Sequence, residues 1–136
     1  MRRKSIVFSA VLIVLMLNAN SVTAQDLKHQ LVGKTFVRHF SAAGFRHTAT
    51  YRFYSNKVVY SVKGFFIRDT YQIIGKYQGD KFIGREPKTK RQYVLDIKIL
   101  DNRRIKIYKH GYDQRYSEIV KLFPVIGWHV YFLTRK

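Results

Sequence analysis

Five histidines and eight acidic residues are the groups of this 136-residue chain on which acid–base or metal chemistry would draw. His29, His39, His47, His110 and His129 never fall at the i, i+4 spacing of a helix or the i, i+2 spacing of a strand. Those two patterns aim a pair of imidazoles at one metal ion. His39 and His47 flank the stretch Ser41 to Gly44 and approach each other only if it closes a hairpin. Asp80, Asp101 and Asp113 lie in turn-like sequence, where a carboxylate bonding its own backbone explains them. Asp69, Asp96 and Glu118 are three of the other five, and a cross-strand ion pair with Lys106 or Arg104 accounts for Asp96. No nucleophile elbow, phosphate loop or zinc spacing occurs. The chain has no cysteine, which excludes thiol catalysis, Cys-ligated zinc, disulfides and an acylated lipoprotein cysteine. The expectation is a protein that is not an enzyme and carries no cofactor or metal.

Basic residues are the abundant charged type. The chain holds 26 Lys and Arg against 8 Asp and Glu, a formal charge of +18. Lys88, Lys90 and Arg91 fall in one loop-like stretch. Lys98, Arg103, Arg104, Lys106 and Lys109 follow on a hairpin whose outer face they are expected to occupy, with Tyr108 and Tyr112 interleaved. Cations bearing exposed rings suit an anionic polymer, with charge for the backbone and rings for stacking. Outward strand positions are polar in any antiparallel sheet, however, so a solvated face gives the same pattern.

The N-terminus carries an address. Arg2, Arg3 and Lys4 precede an apolar run from Ile6 to Leu17, and Val22-Thr23-Ala24 offers small residues for cleavage. Twelve apolar residues fall short of the roughly 20 that span a bilayer as a helix. Residues 1–24 therefore read as a secretory signal, leaving 25–136 as a single secreted or periplasmic domain without a transmembrane segment. Removing Arg2, Arg3 and Lys4 takes three basic residues and no acid, so the charge falls from +18 to +15.

The elements that position these groups are strands. In His47 to Tyr54, Ala49, Tyr51 and Phe53 alternate with Thr48, Thr50 and Arg52. Val58 to Val62, Thr70 to Tyr77, Lys81 to Arg85 and Arg91 to Leu100 continue as strands, with Gly79-Asp80 as a tight hairpin turn. Asp101 to Arg103 turns the chain into Ile105 to His110. Tyr116 to Phe123 reads as strand or short helix, ended by Pro124. Ile126 to Thr134 closes the series, with Trp128, Val130 and Phe132 expected inward. About eight strands joined by short turns favour an all-β, antiparallel up-and-down barrel, with a β-sandwich as the alternative.

Asp26 to Gln30 followed by Leu31-Val-Gly-Lys-Thr-Phe36, with the tail Trp128-His-Val-Tyr-Phe-Leu-Thr-Arg135, resembles the opening and closing of lipocalin-like domains. Those begin with a helical turn, a Gly and an aromatic on the first strand, and end on a strand carrying a basic residue. The chain departs from the pattern in placing its aromatic, Phe36, three residues after Gly33 rather than two. Arg135 also falls on the opposite side of the last strand from Trp128. The resemblance implies a calyx for a small hydrophobic or amphipathic ligand. Its lining would be Phe36, Tyr51, Phe53, Tyr60, Tyr71, Ile73, Leu95, Ile97, Ile107, Trp128 and Val130. The side chains of an eight-stranded barrel can also fill it themselves. Besides ligand binding, two other functions stand open. One is a basic module for envelope glycan, lipopolysaccharide or nucleic acid. The other is a protein inhibitor, whose partner would have to be acidic, because a basic one is repelled.

Overall fold

The computed structural model describes residues 23–42, 44–65, 67–111 and 127–134. Eight antiparallel strands follow one another around a closed barrel, each bonded to the next and the last to the first. They are β1 (Thr35–Ala42), β2 (Phe45–Phe53), β3 (Lys57–Lys63), β4 (Arg68–Gln78), β5 (Lys81–Arg85), β6 (Gln92–Ile99), β7 (Arg104–His110) and β8 (Trp128–Leu133). The up-and-down barrel expected from strand spacing is the architecture found, and the segment after Gly33 supplies its first strand. The expected signal segment up to Val22, the stretch Tyr112 to Ile126 (with the segment Tyr116 to Phe123) and Arg135 lie outside the described residues.

Alternation is the physical origin of the wall. On β2, β3, β4 and β6 every second residue is buried: Ala49, Tyr51, Phe53; Val58, Tyr60, Val62; Tyr71, Ile73; Tyr93, Leu95, Ile97. A one-residue slip would turn each of these sets into water, so the register is strongly specified. Full closure also leaves no unpaired edge for another chain to template on. At β4 and β5, Gly75 pairs with Gly84. A Cβ on Gly75 would fall 1.9 Å from the Ile83 carbonyl oxygen, so only glycine lets the two strands come together there.

One end of the barrel is plugged. Helix α1 (Ala24–Leu31) drives Leu27 and Leu31 into it, each 1% exposed. The helix starts because the Thr23 hydroxyl accepts the Asp26 backbone N–H at 3.1 Å, satisfying one of the orphan donors of its first turn. The expected cleavage point after Ala24 thus falls one residue inside the helix, and a cut there removes its cap. Gly33 N–H donates to Phe53 O and Phe53 N–H to Lys34 O, tying the helix exit to the end of β2. The turns after β2, β4 and β6 share this closed end. The opposite end, the mouth, carries Gly44, Gly64, Phe65, Ile67 and the loop 86–91.

Candidate functional site

Nine of the residues expected inside the barrel are there and buried: Phe36, Tyr51, Phe53, Tyr60, Tyr71, Ile73, Leu95, Ile97 and Ile107. Trp128 and Val130 are a correction. Trp128 is 39% exposed, and β8 turns out of phase with the expectation. Ile105 pairs with Tyr131 and Ile107 with His129, so His129, Tyr131 and Leu133 face inward while Trp128, Val130 and Phe132 face out. The strand's partner decides the phase: Tyr131 must sit beside the inward Ile105.

The interior is divided. Near α1 it is apolar, with Phe36, Phe53, Val58, Ile73 and Phe82 packed above Leu27 and Leu31. Across the middle runs a layer of five tyrosines in ring contact. Tyr131 meets Tyr51 at 5.0 Å, Tyr51 meets Tyr60 at 4.9 Å, Tyr60 meets Tyr71 at 5.2 Å, and Tyr71 meets Tyr93 at 5.5 Å. Most of these pairs are edge-on or tilted, arrangements that match the quadrupoles of neighbouring rings. Burial, then the nearby phenols of Tyr131, Tyr60 and Tyr71, hold the Tyr51 hydroxyl well above its ordinary pKa.

On the mouth side of this layer two cations project inward. Lys109 shares the face of Ile105 and Ile107 on β7, two residues further along. Its ammonium lies 4.0 Å from the centre of the Tyr60 ring and 5.5 Å from that of Tyr71, and donates to the Tyr71 hydroxyl at 2.8 Å. An ammonium drawn partly out of water is costly unless something replaces that water, and here ring faces and a hydroxyl contribute. Arg38 follows Phe36 on the inward face of β1, with its guanidinium carbon 4.6 Å from the Phe40 ring. Burial raises the Tyr131 phenol, and the adjacent Arg38 charge, with a hydrogen bond, partly offsets that. The register sets Arg38 beside Ala49, Ala49 beside Val62 and Val62 beside Asp69. Two short side chains thus separate the arginine from the one inward carboxylate of these strands.

The mouth itself is aromatic. Phe45 and Phe65 stack at 4.8 Å, and Phe65 is 74% exposed. Below them His47 is buried against Phe40, ring to ring at 5.3 Å, with its Nδ1 3.0 Å from the Phe45 carbonyl. Gly64 makes room for it: a Cβ there would lie 2.0 Å from the imidazole. Phe40, not His39, pairs with His47, so the two histidines face opposite sides of the wall. His39 instead meets the Thr48 hydroxyl at 3.0 Å on the outside. Among the described residues no group of three potential metal ligands gathers.

The eight cations expected to form one anionic-polymer surface do not share a surface. Lys88, Lys90 and Arg91 belong to the loop at the mouth, whereas Arg103 and Arg104 stand at the closed end. The eight residues of β6 lie between them, about 25 Å of strand. Lys109 is inside. Lys98, Arg104 and Lys106 share the outer wall, with Lys98 directly opposite Lys106 and Arg104 two residues from Lys106 along β7. Asp96 is a second correction. It pairs with Lys81 and, at 2.6 Å, with His110 Nε2, not with Lys106 or Arg104. Partial burial works to raise its pKa, but the hydrogen bonds and charges of Lys81 and His110 outweigh that and hold it below the usual range. Arg104 takes Asp101, 2.8 Å away.

Sequence reading missed Arg38 and Lys109 as inward cations, although each continues an i, i+2 series of buried residues. A surface hollow of about 700 Å³ opens beside α1, lined by Lys28, His29, Val32, Lys76 and Tyr77 among others. It lies at the closed end, away from both. No helix among the described residues is long and apolar enough to cross a membrane. Comparison of the chain with protein-family models, with curated proteins and with solved structures finds no match.

Proposed function

We propose that this is an exported, non-enzymatic binding barrel that takes a small amphipathic anion at its mouth. This is the kind of role that the resemblance of its first and last strands to lipocalin-like domains implies. The observation that carries the reading is the pair of inward cations, Arg38 and Lys109, set on a floor of tyrosines. Arg38 and Lys109 set positive charge on the inner wall, where the low dielectric strengthens attraction for an anion. An anionic head group would accept charge-assisted hydrogen bonds there, and phenol hydroxyls beside the cations would supply further donors. The floor is closed by ring contact, so the apolar body of the ligand would rest on tyrosine faces and the Phe45–Phe65 rim. Arg38, Lys109 and His129 are each half-buried. Export rests on the charged and apolar N-terminal pattern.

Calorimetric titration with decanoate and with decanol separates head group from tail. Decanoate should bind at least tenfold more tightly, and Arg38→Met or Lys109→Met should erase that preference. Equal binding of the two, or a preference that survives both variants, would overturn the reading.

A further inference from the structure

An exposed barrel strand is expected to turn polar residues to water. Strand β8 turns Trp128, Val130 and Phe132 outward, and Phe132 is 54% exposed. The register places cations and a further ring beside them. Tyr108 is opposite Trp128, Lys106 opposite Val130 and Arg104 opposite Phe132. One strand further on, Lys98 is opposite Lys106. The Lys98 ammonium lies 5.0 Å from the centre of the Trp128 ring. Tyr108 meets that ring edge-on at 5.8 Å and is itself backed by the His110 ring at 4.3 Å.

Folding gains little from any of this. Rings left half in water forgo part of their burial energy, and two lysines directly opposite each other repel. The nearby carboxylates are engaged: Asp101 with Arg104, Asp96 with Lys81 and His110. The wall between β6 and β8 therefore offers flat rings within a positive field. An acidic polysaccharide matches the field but has no π-face for the rings. A duplex hides its bases from them. A single-stranded nucleic acid presents both an anionic backbone and unstacked bases.

We propose that the outer wall of β6, β7 and β8 binds single-stranded nucleic acid, with Trp128, Tyr108 and Phe132 stacking bases and Lys98 and Lys106 meeting phosphates. The site is on the opposite side of the sheet from Arg38 and Lys109 and does not depend on the interior reading.

Trp128 is the only tryptophan, so its fluorescence reports this surface directly. Titrating the purified protein with oligo-dT should quench it, with an affinity that falls steeply as salt rises. Tyr108→Ala with Phe132→Ala should weaken binding about tenfold or more, at unchanged circular dichroism. Lys98→Gln with Lys106→Gln should flatten the log–log salt slope by about 1.4, that is ~0.7 for each phosphate no longer neutralised. Heparin at equal charge and a duplex of the same length should bind more weakly and leave the fluorescence unquenched. The proposal falls if oligo-dT does not bind, if it binds without touching Trp128 fluorescence, or if the ring variant binds like the parent. Heparin or duplex binding as tight as oligo-dT would also sink it. Because decanoate binding is read on the unmodified wall, a failure here leaves the interior reading standing.

Discussion

Inside the barrel the Lys109 ammonium lies 4.0 Å from the Tyr60 ring; outside, on the neighbouring strand, that of Lys98 lies 5.0 Å from Trp128. The two contacts use the same chemistry on the two sides of one wall. What differs is the solvent. The inner cation rests on buried rings and a hydroxyl, whereas Trp128 is 39% exposed and Lys98 is at the surface. A cation over an aromatic face is worth about 0.5–1 kcal/mol when exposed and about 2 or more when desolvated. The inner pair should therefore stabilise the fold, and the outer pair should leave stability almost untouched. That contrast separates a layer that holds the barrel together from a surface that is available for a partner.

The largest test of the contrast removes a ring from each side. Tyr51 touches Tyr60, Tyr131 and Phe53 and is 1% exposed. Tyr51→Ala should cost about 3–5 kcal/mol, the range for deleting a buried aromatic side chain. Phe132→Ala should stay within about 0.5 kcal/mol, as surface substitutions do. Urea unfolding measures both, and similar midpoints for the two variants would erase the distinction.

An effect of intermediate size comes from alkali. Burial raises the phenols of Tyr51, Tyr77 and Tyr131 above their ordinary value. The unfolded chain gives up these protons near pH 10, while the folded chain keeps them. Stability is thus fully present below about pH 10 and declines as pH rises from there toward the folded values. Phenolate absorbance should appear in two stages, exposed tyrosines first and the remainder together with loss of circular dichroism. A single smooth titration of all ten tyrosines with the fold intact would show that the layer is open to water.

The smallest test compares the lysines themselves. Lys109→Met removes the ring contact and the bond to Tyr71, and should cost about 1–2 kcal/mol. Lys98→Met should cost no more than about 0.5 kcal/mol, and relief of its repulsion with Lys106 offsets part of that. Equal costs, followed by thermal or chemical unfolding, would mean that the two sides of the wall are not different environments.

Much of this organisation is legible in the residues. On β2 the alternation of Ala49, Tyr51 and Phe53 with Thr48, Thr50 and Arg52 announces both strand and inner face, because one side is apolar and the other polar. The Gly79-Asp80 turn sets the β4–β5 hairpin locally, with Gly79 at φ 58° where other residues are strained. Strand β8 defeats the same reading. Trp128, Val130 and Phe132 are apolar, and so are Tyr131 and Leu133 on the alternate positions, so hydropathy carries no phase. Lys109 reads as an outward residue by its charge, whereas its place in the series Ile105, Ile107, Lys109 points inward.

The sequence by itself determined an eight-stranded meander. A period of two and the chemistry of short turns act between neighbours along the chain, where composition is enough to specify them. Only the tertiary structure decided which face of β8 looks inward, and so which rings meet water and which cations meet tyrosines. Closure pairs β8 with β7 on one side and with β1, near the other end of the chain, on the other. The phase of a strand with two apolar faces is set by those partners, which no local pattern records.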